Sequence, residues 1–163
     1  MYEQNVKAGR YRSPSQGSTR EPLDLDYLGA RGEAAVAQFF EIDWKPRVIN
    51  ESGWQKARAT LHDLPGKIEV RASSRSNGGL IIRDWDKADA SYVLVREVSE
   101  ATIRIIGWMD GSTARNLARQ NPSKYRKDFN NVGKEMTCIP GEDLYDVLEL
   151  KMRLFGVPSY AVD

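Results

Sequence analysis

His62-Asp63-Leu64-Pro65-Gly66-Lys67-Ile68-Glu69-Val70-Arg71 holds the most distinctive pattern of the chain. An acid is followed by a short Pro-Gly turn, then by a strand with a second acid and a cation two residues apart. Side chains of a strand alternate between faces, so Glu69 and Arg71 emerge on one side and Ile68 and Val70 on the other. If Asp63 closes the preceding strand, the turn folds it back beside Glu69. Two carboxylates with a neighbouring cation form a candidate site for a hard metal ion. Magnesium binds oxygen, keeps several waters, and needs only one or two carboxylates plus a substrate phosphate.

An acid, a tight turn and an acid-x-cation strand resemble the core motif of the PD-(D/E)xK nuclease superfamily. The resemblance implies an α/β (α+β) domain, with a mixed central sheet of four to six strands flanked by helices in a restriction-endonuclease-like core. It implies Asp63 and Glu69 as Mg2+ or Mn2+ ligands and puts Arg71 where the family usually has Lys. The first acid here follows His62 rather than Pro. Arg71 stays charged and offers a fixed fork of donors, so it is suited to clamping a phosphate and is a poor general base. A metal-bound hydroxide needs no protein base, so the substitution leaves nuclease chemistry accessible.

Upstream, a helix is expected from Asp24 or Asp26, either of which can cap it, to about Phe40. Leu28, Val36, Phe39 and Phe40 supply its apolar stripe, and Glu33 shares that inward face. A carboxylate there requires a partner, because burying it bare is costly. Leu28-Gly29-Ala30-Arg31-Gly32-Glu33 also resembles the first helix of several of these nucleases, which implies Glu33 as a third metal-facing catalytic acid. An ion-paired helix glutamate is the alternative.

Strands are expected at Arg47–Ile49, Lys67–Ser73, Leu80–Arg83, Ser91–Arg96, Thr102–Gly107 and Lys134–Ile139. The stretch Lys56–His62 is ambiguous, its alternation suiting a half-buried strand. Asn77-Gly78 signals a hairpin after the motif strand. Helical periodicity recurs from Gly111 to about Arg119, with Ser112 or Thr113 as cap. It returns after Pro140-Gly141, where Leu144, Val147, Leu148 and Met152 are spaced as a helix stripe.

Length and composition set limits on the rest. At 163 residues one domain is the default, read as residues 23–163 after a flexible basic arm at 1–22 that carries Lys7, Arg10, Arg12 and Arg20. A net charge of +1 argues against a polybasic mode of nucleic-acid binding, so a homo-oligomer or protein partner is expected to add affinity. No apolar run is long enough to span a bilayer, and no signal peptide is apparent. A single Cys and a single His exclude an internal disulfide and a structural zinc site. A cytoplasmic location is expected, in the host cell if the chain is phage-encoded.

Arg71, Ser73, Arg75 and Arg83 are the candidate nucleic-acid contacts, since Arg and hydroxyl contacts to phosphate dominate affinity. Solvated loop charges are the alternative reading for the arginines. The acid-dense Asp84–Asp89 segment lacks EF-hand spacing and reads as a solvated loop. His62 has no Ser or Cys nucleophile nearby for a triad. Trp54, Trp85 and Trp108 have rings able to stack on bases, with Trp108 expected in the core. Basic residues from Arg115 to Lys127 around Tyr125 suit a nucleic-acid groove or an exposed helix face. The expectation is thus a magnesium-dependent nuclease acting on DNA. A nuclease-fold protein that binds nucleic acid or a host protein without cutting is the alternative, and an unrelated phage accessory module a third reading.

Overall fold

Residues 22–45, 61–129 and 133–156 are described by a computed structural model. The basic arm, the strand expected at 47–49 and most of the ambiguous 56–62 stretch lie outside them. Helix α1 spans Pro22–Phe40. Strands β1 (Ile68–Ser73), β2 (Leu80–Ile82), β3 (Ser91–Ser99) and β4 (Thr102–Asp110) follow. Helices α2 (Gly111–Gln120) and α3 (Pro122–Tyr125) lead into β5 (Arg126–Asp128) and β6 (Glu135–Ile139). A 3-10 turn at Gly141–Asp143 precedes the last helix, α4 (Val147–Phe155).

The expected single sheet of four to six strands is instead two three-stranded sheets, β1-β3-β4 and β2-β6-β5. The reason lies in the motif strand. β1 pairs with β3 in parallel, Ile68 opposite Ser91 and Glu69 opposite Tyr92, and parallel neighbours cannot be joined by a hairpin. The Asn77-Gly78 turn therefore does not return the chain beside β1. Arg96 donates from Nε and Nη2 to the Gly78 carbonyl at 2.9 and 2.8 Å, fixing this loop over β3. The chain then continues into β2, which pairs antiparallel with β6.

The first sheet separates two apolar cores. On one side Ile68, Val70, Val93, Val95 and Trp108 pack with Val36, Ala37 and Phe40 of α1 and Leu150 of α4. On the other, Tyr92, Leu94 and Met109 meet Leu80, Ile82 and Ile139 of the second sheet and Ala114 and Ala118 of α2. Gly32 permits the close approach of α1: a Cβ there would lie 2.9 Å from Val95 Cγ2 and 3.3 Å from Ala72 Cβ. Arg31 pins the same helix to the β3–β4 turn, donating to Glu97 Oε1 at 2.7 Å and to the Ser99 carbonyl.

Three helix readings need correction. The first helix begins at Pro22, so Asp24 lies within its first turn and neither Asp24 nor Asp26 is its cap. The N-cap of α2 is Asp110, with no side-chain cap bond, rather than Ser112 or Thr113. The closing helix begins only at Val147, because Asp146 accepts from the Leu148 amide and caps it there. Leu144 therefore precedes the helix, and Leu148 and Met152 are exposed while Leu150 is buried. Arg153 fastens α4, donating to Ser91 Oγ at 2.8 Å and lying over the Trp108 ring at 4.4 Å.

Candidate active site

The turn before β1 places the first acid. Leu64 N donates to the Ile68 carbonyl at 3.1 Å, closing a tight loop through Pro65, Gly66 and Lys67. Gly66 and Lys67 both have positive φ, at 79° and 59°, a conformation natural for glycine and mildly strained for lysine. The loop turns Asp63 back along β1, where its Oδ2 accepts from Val70 N at 2.8 Å. Asp63 thus takes an amide on the edge of β1 away from β3. Burial pushes the Asp63 carboxyl above the usual carboxylate range and the charge of Glu69 adds to this, whereas the Val70 amide, Arg71 and Lys87 pull it back.

Glu69 is one of the few buried polar residues, 8% exposed. It survives burial because polar and charged partners surround it. Lys87 Nζ donates to Glu69 Oε1 at 2.8 Å, and His62 Nδ1 lies 3.0 Å from the same oxygen. Arg71 Nη1 stands 3.8 Å from Oε2. Lys87 also donates to the Leu61 carbonyl, bridging the two segments that carry the acids.

Arg71 is held differently from the expected open phosphate clamp. Its Nη2 pairs with Asp86 Oδ1 at 3.1 Å, and its guanidinium lies over the Tyr92 ring at 5.0 Å. Asp86 in turn accepts from Arg83 N at 2.8 Å. The Tyr92 hydroxyl donates to the Lys87 carbonyl at 3.0 Å; burial first, then the charge of Asp86, drives its pKa well above the ordinary phenol value. The Asp84–Asp89 loop, read from sequence as solvated, therefore sends Asp86 and Lys87 inward.

The remaining candidates are dispersed. Ser73 Oγ accepts from Arg75 N at 3.1 Å, so the hydroxyl shapes the turn after β1. Arg75 is exposed on that turn, and Arg83 stacks by its own loop against Trp85 at 5.8 Å. Glu33 lies on α1, which packs against the Val70 and Ala72 face of β1 opposite Glu69. Trp44 Nε1 donates to Glu33 Oε2 at 3.4 Å. Among the described residues no three His, Cys, Asp or Glu side chains converge as a metal cage. The expected Glu33-Asp63-Glu69 triad is therefore not assembled among the described residues: Glu33 belongs to the helix on one face of β1, Glu69 to the other face, and Asp63 to its edge. Asp63 and Glu69 remain two carboxylates of the kind magnesium takes, one or two acids completed by water and phosphate.

Lys87, Asp86, His62 and Tyr92 are the members of this cluster that sequence reasoning did not assign. Only the parallel pairing of β1 with β3 reveals Lys87, since it sets the residues just before β3 beside the start of β1. No family model, curated protein or solved structure matches the chain.

Proposed function

We propose that the chain is a magnesium- or manganese-dependent nuclease of the PD-(D/E)xK type, hydrolysing phosphodiester bonds in DNA. The observation that carries the reading is Lys87 Nζ at 2.8 Å from Glu69 Oε1, beside an Asp63 carboxylate turned back along the same strand. Acid, acid and lysine stand together although the strand itself supplies only Arg71. The lysine comes from the loop before β3.

Asp63 and Glu69 would hold the metal ion, which when bound supplies a more acidic water and neutralises phosphate charge. Lys87 orients a water or a phosphate oxygen next to Glu69 and stabilises the negative charge that builds as water attacks phosphorus and the P–O bond to the leaving sugar breaks. Arg71 acts as a positioning residue: its pair with Asp86 fixes the loop that delivers Lys87. Arg75 and Arg83 would meet the nucleic-acid backbone, and Ser73 supports the turn bearing Arg75.

The crowding of Glu69 favours a second reading. Its two oxygens face Lys87, His62 and Arg71, a set of contacts that also suits a nuclease-fold protein that binds nucleic acid or a protein without cutting. The two readings separate in one assay. Linear, circular and single-stranded DNA are incubated with the wild type and Glu69→Ala in Mg2+ or Mn2+. Cleavage lost in the variant supports the nuclease; no cleavage, or equal cleavage by both proteins, sinks it.

A further inference from the structure

The loop that delivers Lys87 also presents an aromatic ring outward. Trp85 is 64% exposed, between Asp84 and the buried Asp86 carboxylate. Its backbone is anchored from three directions. Arg115 donates to the carbonyls of Arg83, Asp84 and Asp86. Arg83 N donates to the Asp86 carboxylate, and Asp86 N closes the turn onto the Arg83 carbonyl at 3.1 Å. The Arg83 guanidinium sits 5.8 Å from the ring centroid, and the next two residues reach Arg71 and Glu69.

We propose that Trp85 is a base-stacking platform on the loop that carries Asp86 and Lys87, and that the substrate presents an unpaired nucleotide there, as single-stranded DNA or a frayed end does. This rests on the nuclease reading and narrows its substrate. Inside a duplex each base has both faces covered by its neighbours, whereas an unpaired base has a π-face to offer. The indole takes that face and Arg83 the adjoining phosphate, a division of labour usual in single-strand grooves. The Arg83 guanidinium beside the ring favours a nucleotide over an apolar protein segment, with Asp86 already neutralised by Arg71.

The test measures binding without metal, so no cleavage intervenes. Fluorescent oligothymidylate, an abasic strand of the same length and a duplex are titrated against the wild type, Trp85→Ala and Trp85→Phe. Oligothymidylate should bind the wild type tighter than the abasic strand by about tenfold, the worth of one stacked base. Trp85→Ala should erase that difference and Trp85→Phe restore much of it. Equal affinity of Trp85→Ala and wild type for oligothymidylate overturns the platform while leaving the nuclease reading to its cleavage assay. Binding of none of the three nucleic acids overturns the platform and leaves the nuclease reading to its cleavage assay. Duplex preference with no effect of Trp85→Ala shows contact through phosphates only and overturns the platform alone.

Discussion

Ile68 and Val70 on one side of β1, and Glu69 and Arg71 on the other, are adjacent in the chain and opposite in fate. The first pair is sealed between α1, α4 and the rest of the sheet. The second pair is held by polar and charged partners from two other segments: His62 from before the turn, Asp86 and Lys87 from the loop before β3. The apolar face needs volume and little else. The polar face needs every partner, because a buried carboxylate left without its cations is heavily penalised. One face is therefore built for stability, and the other bears a specific chemical arrangement that stability alone does not demand.

Substitutions on the two faces should separate these properties. Glu69→Ala is expected to lower cleavage about a thousandfold, comparable to removing a principal electrostatic group from an active site. Circular dichroism should show the fold retained. Ile68→Ala, fully buried on the other face, should cost about 3 kcal/mol in urea unfolding and leave the rate per folded molecule nearly unchanged. A rate lost in Ile68→Ala with stability intact would break the comparison.

Lys87→Met tests the lysine's part more finely. It removes the ammonium beside Glu69 while keeping most of the stem's volume, and should reduce cleavage about a hundredfold. Asp86→Asn, which weakens the hold on Arg71 without touching Glu69, should reduce it less. If both variants cut as the wild type does, the cluster is structural only.

The smallest effect concerns Asp63 and pH. Its folded-state pKa is raised, so its contribution favours the folded state below the unfolded pKa and is lost as pH rises through the folded value. Asp89 and Asp143, lowered chiefly by their hydrogen bonds to Lys67 and Lys124, act with the opposite sign. The difference between wild type and Asp63→Asn isolates the one residue. Without metal, Asp63→Asn should gain on the wild type as pH rises from the acidic range to neutrality. Magnesium at ten times its Kd should stabilise the wild type by about 1.4 kcal/mol, and the variant less. Parallel pH curves for the two proteins would contradict the raised pKa.

The sequence disclosed the alternation of β1, the apolar stripe of α1 and the return of Asp63 through the Pro-Gly turn, all of which depend on residues close in the chain. It did not disclose the division into two sheets, which depends on a parallel pairing between segments separated by a loop that reads as solvent-facing. Lys87 was hidden for the same reason: it is 18 positions from Glu69. Glu33 shows the limit of helical periodicity. The pattern places it inward, and it is half-buried beside Trp44, but periodicity cannot say which face of β1 the helix covers. Among the described residues no helix is long and apolar enough to cross a membrane, in line with the hydropathy of the sequence.

The account stands or falls on a metal ion at the paired acids. Calorimetric titration of Mn2+ into the wild type, Asp63→Asn and Glu69→Gln measures this directly. The account predicts one site in the wild type, weakened at least tenfold in each variant, at about 1.4 kcal/mol per tenfold. No binding to the wild type, or equal binding to all three, would contradict it and leave the charged face of β1 as an ion-paired scaffold.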